Sequence, residues 1–229
     1  MLPKQIDIDW EWVKRETQKR EKISPAKNSD AAASIQKCLD SSIAKAKTLT
    51  RSNYIQTVKK ISTLGKDFIE LEGGIRLSTS KITKLVKGAT HIVIFLVTIG
   101  DLIETKAGDL TLGKEPLEGY LLDRIGSFAV ESLAESLEAG VRKDYMKQKK
   151  SVSMRYSPGY CDWPIEEQEM LNKLLDFSKI GVSLNESYMM KPKKSISAMV
   201  AIADKGIFTK TGSTCEICEM KDCTYRRGT

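Results

Sequence analysis

An apolar run near the middle of the chain, His91–Thr98, constrains the fold more than any other stretch. Its β-branched residues favour a strand, and the lack of polar alternation means that both faces of that strand must be covered. The run is much shorter than the roughly 20 residues that a membrane-spanning helix needs. We therefore expect it to form the centre of a sheet that is buried on both sides.

Strands and helices are predicted in an irregular order around this run. Further strands are expected at 53–62, 67–71, 152–155, 180–187 and 195–203. Helices are expected at 9–21, at 31–47, at 78–86, from about 117 to 147, and after Pro164. In the longest helix an apolar residue recurs every fourth position, so one face must pack on the core. This order favours the α+β class, with a single domain built on a largely antiparallel, twisted sheet flanked by helices.

Three regions differ in composition: a helical segment at 1–50, the main domain at 51–207 and a cysteine-containing tail at 208–229. The 229 residues are 41% hydrophobic, which is enough for a core that needs no disulfide staples. Met1–Asp9 contains acids and no apolar core, so it does not resemble a signal peptide. We therefore expect a cytoplasmic protein with no membrane segment.

The formal net charge of +7 raises nucleic acid binding as one candidate function. However, the basic residues are scattered among 30 acidic ones, and only 7% of the residues are aromatic. No basic strand is interleaved with aromatic residues that could stack on bases. We therefore do not expect a nucleic acid partner, and a nucleic acid-binding module is the less favoured alternative. The excess positive charge can instead steer an acidic partner protein.

The segment 155–160, Arg-Tyr-Ser-Pro-Gly-Tyr, carries the clearest ligand-binding chemistry. Its Pro-Gly pair favours a turn, and the glycine lets a ligand approach the backbone. Arg155 can hold a carboxylate through two parallel hydrogen bonds, while Tyr156 and Tyr160 offer flat faces and hydroxyl groups. Glu131 lies off the apolar seam of the longest helix, beside small residues that leave room for a ligand, with a solvated glutamate as the default alternative. The pattern suits a small zwitterion with an aromatic part; a surface turn with a solvated arginine is the alternative.

The tail contains a dense group of cysteines. Cys215, Cys218 and Cys223 follow a C-x2-C-x4-C pattern, whose thiolates can converge on one metal ion or cluster. A structural zinc site needs a fourth ligand, for which Cys161 is the candidate, and an iron–sulfur cluster with one non-cysteine ligand is the other option. The alternative interpretations are reduced free thiols or a disulfide within a disordered tail, of which the disulfide is disfavoured in the cytoplasm. The total of five cysteines is odd, which argues against a disulfide framework.

Several short segments, in this order, resemble the reactivation domain of cobalamin-dependent methionine synthase. Residues 155–160 are similar to its R-x-x-P-G-Y motif, and 180–187 to its L-T-E-S motif. Residues 189–192 and 194–197 are similar to its proline-led S-V-S segment. The resemblance is close over 117–203 and extends to the preceding part only in the general order of elements. Because three motifs occur in the family's order, the resemblance is more specific than any one of them.

The resemblance implies that residues 51–207 fold like that domain and bind S-adenosylmethionine (AdoMet). The family rescues cobalamin that has slipped to the inactive cob(II) state: one electron reduces the cobalt, and AdoMet methylates it. By position, Arg155 resembles the arginine that holds the AdoMet carboxylate, and Glu131 the acid near the ligand amino group. The other residues that the resemblance assigns to the ligand are Tyr156, Ser157, Pro158, Gly159, Tyr160 and Glu186.

The sequence also departs from the full-length enzyme. It lacks the D-x-H-x-x-G motif that ligates cobalamin, so we expect the corrinoid on a separate cobalamin-dependent methyltransferase or other corrinoid protein, with a flavodoxin or ferredoxin as electron donor. The cysteine tail lies outside the family domain. The family's N-terminal acid is not placed, and Asp7 and Asp9 are its nearest candidates. The expected protein is a free-standing reactivation factor; a non-catalytic AdoMet sensor or corrinoid-protein chaperone is the alternative.

Overall fold

A computed structural model describes residues 2–23 and 29–209. The helices of this part are α1 (Trp10–Arg20), α2 (Asp30–Leu49), α3 (Ser80–Leu85), α4 (Leu102–Leu112), α5 (Pro116–Lys147) and α6 (Gln168–Leu175). The strands are β1 (Asn53–Leu64), β2 (Phe68–Leu71), β3 (Arg76–Ser78), β4 (Ala89–Thr98), β5 (Lys150–Val152), β6 (Ser183–Leu184), β7 (Met190–Lys191) and β8 (Ser195–Asp204). Two short 3-10 helices cover Ile165–Glu167 and Phe177–Ile180.

The main sheet has the strand order β3-β2-β1-β4-β8-β5, and each neighbouring pair is antiparallel. β6 and β7 form a separate antiparallel pair. The apolar run forms most of β4, which pairs with β1 on one side and β8 on the other. The prediction of an α+β domain with a largely antiparallel sheet is confirmed.

Both faces of β4 are buried, as its composition requires. Val93, Phe95 and Val97 face a core formed with α1, α2, α4 and α5, whereas Ile92, Ile94 and Leu96 face a second core formed with α3 and α6. The alternation follows from the two-residue period of a strand. The N-terminal helices α1 and α2 belong to the first core and pack on α5. None of the helices in the described part combines the length and apolar character that a bilayer span requires.

The strand expected at 180–187 is much shorter in the structure. Only Ser183–Leu184 is a strand, because a 3-10 helix occupies the residues before it and Gly181 adopts a left-handed φ of 72°. On the other side the Asn185 carboxamide oxygen accepts hydrogen bonds from the backbone N–H groups two and four residues further on. Such an Asx turn competes with the strand ladder and reverses the chain.

The strand expected at 152–155 is interrupted after its first residue. The hydroxyl of Ser153 accepts the hydrogen bond of the Ala201 N–H at 2.9 Å, a position that a backbone carbonyl would take in a regular ladder. Backbone pairing with β8 resumes at Tyr156, which exchanges both hydrogen bonds with Met199. The interruption separates β5 from the segment that carries the candidate ligand-binding residues.

Helices α4 and α5 approach each other closely at Gly119. A Cβ atom built at this position lies 2.7 Å from the carbonyl oxygen of Ala107 and 2.6 Å from the backbone nitrogen of Thr111. Real Cβ atoms do not approach backbone atoms this closely, so only glycine fits without separating the helices. Gly140 lies further along α5, and among the described residues no atom outside the neighbouring backbone of its own helix comes within 4 Å of its Cβ position.

Replacing the two glycines should therefore have opposite effects. Gly119→Ala is expected to lower the free energy of unfolding by about 1–3 kcal/mol, because α4 must move away from α5. Gly140→Ala, the matched control in the same helix, should raise it by up to about 1 kcal/mol through helix propensity. Urea denaturation of the two variants measures both values. Equal stability of the two variants would contradict the described packing.

Candidate functional site

The segment 153–160 leaves β5 and runs beside β8 at one edge of the sheet. Met154 and Tyr156 are buried in the core that contains α6. Arg155 lies between them and is directed to the opposite face, where it contacts α5. This arrangement follows from the alternation of side chains along extended backbone.

Arg155 forms an ion pair with Glu131 of α5. Its Nη2 donates to Glu131 Oε2 at 3.0 Å, and 13% of the arginine side chain is exposed against 28% of the glutamate side chain. Burial lowers the pKa of the Arg155 guanidinium, while the fields of nearby Glu138, Glu135 and Tyr160 oppose that shift. The structure therefore brings together Arg155, Glu131 and Tyr160, three of the residues predicted for the site.

One donor of the same guanidinium is left over. Arg155 Nη1 is buried, and no described residue accepts a hydrogen bond from it. A buried donor without an acceptor costs about 1–3 kcal/mol, so an anionic acceptor at this position would stabilise the site. A carboxylate suits a guanidinium because two parallel hydrogen bonds can join the planar groups.

Two further carboxylates line the same face of α5. Glu131, Glu135 and Glu138 are spaced i, i+4 and i+7, so they form a stripe along one face of the helix. Glu138 accepts from Arg142 Nη2 at 3.0 Å, and Arg142 also donates to the carbonyl oxygens of Val152 at 2.6 Å and of the next residue at 3.0 Å. Arg142 thus ties the stripe to the start of the candidate segment. Sequence reasoning missed the second and third carboxylates, although their helical spacing was visible.

The turn after Arg155 depends on glycine. Gly159 adopts a φ of 89°, and its N–H donates to the carbonyl oxygen of Trp163 at 2.8 Å. The Tyr160 N–H donates to the Ser157 carbonyl oxygen at 3.3 Å, which closes the turn. Pro158 is buried beneath the turn, while Gly159 is exposed. The exposed glycine gives a ligand access to bare backbone.

The two tyrosines of the segment lie in different environments. Tyr156 is 3% exposed and packs in the core, where burial, with a smaller effect of Cys161, raises the pKa of its phenol to about 12. Tyr160 is 48% exposed, and it lies near enough to Arg155 for its field to raise the pKa of the guanidinium. Of the two aromatic faces predicted for a ligand, the face of Tyr160 is therefore the accessible one.

Comparison with known proteins now identifies the family. Residues 22–216 match the family model described as the vitamin B12 dependent methionine synthase, activation domain. The chain belongs to this family. The crystal structure of the MetH reactivation domain bound to AdoHcy has the same fold, with a TM-score of 0.63 at 16% sequence identity; the similarity covers 92% of this chain and 80% of that chain. Comparison with curated proteins gives no match.

In this member of the activation-domain family, other predicted residues lie apart or are not described. Glu186 is exposed in the turn that joins β6 to β7, and Cys161 is half-buried with a φ of 57°. Cys215, Cys218 and Cys223 lie outside the described residues. Within 2–23 and 29–209 no group of three or more histidine, cysteine or acidic residues is arranged to hold a metal ion.

One of the two candidate N-terminal acids of this activation domain, Asp9, lies beside the long helix. The Asp9 N–H donates to the Ser132 hydroxyl of α5 at 3.0 Å, one residue from Glu131. The Asp9 carboxylate itself caps α1 by accepting from the Trp12 N–H at 2.9 Å. Asp7 is exposed. The backbone at Asp9 is thus held close to the carboxylate stripe.

Asp162 holds the Gly159 turn against α3. Its carboxylate accepts hydrogen bonds from the N–H groups of Ser80 and Lys81, each at 2.7 Å, and from the hydroxyls of Ser80 at 2.8 Å and Thr79 at 3.0 Å. Partial burial by itself raises the pKa of Asp162, but these hydrogen bonds outweigh it and hold the pKa below its ordinary value. The turn and the first residues of α3 therefore share one anchor.

Asp162→Asn should destabilise the fold in a pH-dependent way. A carboxyl group whose pKa is lowered by folding contributes stability above its unfolded pKa of about 3.9 and loses it as the pH falls through the folded pKa. The deficit of the variant should be complete at pH 7 and shrink below about pH 4. Chemical denaturation of both proteins between pH 7 and pH 2.5 measures it.

The matched control is Asp144→Asn, because Asp144 is exposed and pairs only loosely with Lys147 at 3.4 Å. This change should alter stability by less than about 1 kcal/mol. A deficit of Asp162→Asn that stayed constant across the whole pH range would show that the carboxylate charge is not what anchors the turn.

Proposed function

We propose that this chain binds AdoMet and supports the reductive remethylation of a corrinoid carried by a separate cobalamin-dependent methyltransferase, such as methionine synthase. Membership of the activation-domain family supports this role. The observation that carries the ligand assignment is the buried Nη1 of Arg155, which has no acceptor among the described residues and lies beside a carboxylate and an exposed glycine turn.

The residues present fit the two ends of AdoMet. Arg155 would hold the carboxylate of the methionine part, and Glu131 would hold its ammonium group. A ligand that carries both charges satisfies both members of the existing ion pair, so neither protein charge is left buried alone. The backbone of Ser157–Gly159 and the exposed face of Tyr160 would contact the adenosine part.

The reaction requires positioning more than acid–base chemistry. AdoMet supplies an activated methyl group: the bond between sulfur and the methyl carbon breaks as a bond to the reduced cobalt of the partner forms, and a neutral thioether remains. Because the reduced cobalt is itself a strong nucleophile, the chain needs no general base. Arg155 and Glu131 would fix the orientation of the ligand, and the surrounding surface would favour the partner conformation that exposes the corrinoid.

The partner, electron donor and compartment are also proposals. A flavodoxin or ferredoxin would reduce the cobalt before methylation, and we propose a cytoplasmic location for the pair. Metal binding by Cys215, Cys218 and Cys223, with Cys161 as a fourth ligand, stays a prediction from the sequence. A zinc ion or an iron–sulfur cluster would suit this cysteine spacing.

Calorimetric titration with AdoMet tests the ligand assignment. The wild-type chain should bind AdoMet saturably, and Arg155→Ala should weaken binding about tenfold to hundredfold, because a hydrogen bond to a charged group contributes about 1.5–3 kcal/mol. Arg76→Ala is the matched control, since Arg76 lies on β3 at the opposite edge of the sheet, paired with Glu70. Unchanged affinity in a folded Arg155→Ala protein would remove the assignment.

A methyl-transfer assay with the same proteins distinguishes the proposed function from its main alternative. The wild-type chain, a separate corrinoid methyltransferase, a chemical reductant and methyl-labelled AdoMet should give labelled corrinoid, and Arg155→Ala should give much less at limiting AdoMet. A non-catalytic AdoMet sensor would bind the ligand but leave the corrinoid unlabelled under all these conditions.

A further inference from the structure

The face of α5 that contacts Arg155 carries more negative than positive charge. Glu131, Glu135 and Glu138 share this face, whereas the guanidinium groups bound to it are those of Arg155 and Arg142. From α1, Glu16 adds a further carboxylate whose field reaches Glu135 and which is 3.9 Å from Arg20. With these groups included, four carboxylates lie among three guanidinium groups.

The spacing of the stripe matches the spacing of positive charges in AdoMet. Glu131 and Glu135 are one helical turn apart, which places their Cβ atoms about 5–6 Å from each other. In AdoMet three carbon atoms separate the ammonium nitrogen from the sulfonium sulfur, a distance comparable to one helical turn of about 5.4 Å. If Arg155 holds the ligand carboxylate and Glu131 its ammonium group, Glu135 lies within reach of the sulfonium.

Glu135 lies in partly desolvated surroundings, where a nearby positive charge would attract its carboxylate more strongly than in water. Its side chain is half-buried, and burial is the main reason that the pKa of its carboxyl group is raised, with Arg155 opposing the shift and Glu138 and Glu16 adding to it. Electrostatic interactions are stronger in such partly desolvated surroundings than in water. The field of Arg155 lowers the pKa of Glu135, and the same guanidinium carries the buried Nη1 that has no acceptor among the described residues. The carboxylate stripe and the unsatisfied donor therefore belong to one site.

We propose that Glu135 is a specificity-determining residue that makes the site prefer the sulfonium ligand AdoMet to its neutral thioether product, S-adenosylhomocysteine (AdoHcy). This inference rests on the proposed function, that is, on AdoMet binding at Arg155. The two ligands have the same carboxylate, ammonium and adenosine groups and differ only in the methyl group and its positive charge. When the methyl group is transferred, the bonding electrons stay on sulfur, the charge disappears and the product loses its attraction to Glu135.

The test compares the affinities of three ligands by calorimetry: AdoMet, AdoHcy and sinefungin, in which an amine-bearing carbon replaces the sulfonium. The wild-type chain should bind AdoMet at least about tenfold more tightly than AdoHcy, with sinefungin close to AdoMet. Glu135→Gln should reduce that ratio to within about threefold of unity, mainly by weakening the two cationic ligands. Glu131→Gln is the matched control: it should weaken all three ligands and leave the ratio unchanged.

The outcomes distinguish this inference from the proposed function. Binding of none of the ligands by the wild-type chain would refute the proposed function itself. Binding of AdoMet and AdoHcy with similar affinity by the wild-type chain would overturn the inference alone, whether or not any variant folds. An unchanged ratio in a folded Glu135→Gln protein, or an equal loss of all three ligands, would overturn it as well. Glu135→Asp keeps the charge and should retain the preference.

Discussion

The burial of β4 on both faces is the constraint on which the rest of the structure depends. A strand without polar residues on either side can be accommodated only if a layer packs above it and another below it. Each fully buried aliphatic side chain contributes about 1.5–3 kcal/mol, so the two cores on β4 supply much of the stability of the domain. One of these layers is α5, and the candidate site lies where that helix meets segment 153–160, at the edge of the sheet beside β8.

The same helix therefore contributes both to the core and to the candidate site. Its apolar seam, which includes Ile125, Leu133 and Val141, is buried against the sheet, while its carboxylate stripe faces Arg155. Because the seam fixes the rotation of the helix about its own axis, it also fixes where the carboxylates point. The charges of the candidate site are held by a packed core, which would limit the reorganisation needed to bind a ligand there.

Sequence patterns reveal those parts of the fold and site that local chemistry determines. The apolar run of β4, the seam of α5 and the turn at Gly159 follow from residue periodicity and from the special backbone freedom of glycine. The positions of Glu135 and Glu138 relative to Arg155 do not, because they depend on how the helix is rotated against a strand distant in sequence. An interruption of a strand ladder by a side chain, such as that of Ser153, cannot be predicted either, because the sequence does not show which group the hydroxyl of a serine contacts.

The bonds of Arg142 have a consequence for how this family can diverge. Apart from Glu138, its acceptors are the carbonyl oxygens of Val152 and Ser153, groups that every amino acid possesses. Part of the connection between the long helix and segment 153–160 thus depends on the main chain rather than on particular side chains of the segment. Substitution of the Val152 and Ser153 side chains would leave Arg142 with the same two backbone acceptors, so members of the family could diverge at these positions without losing this connection between the helix and the segment.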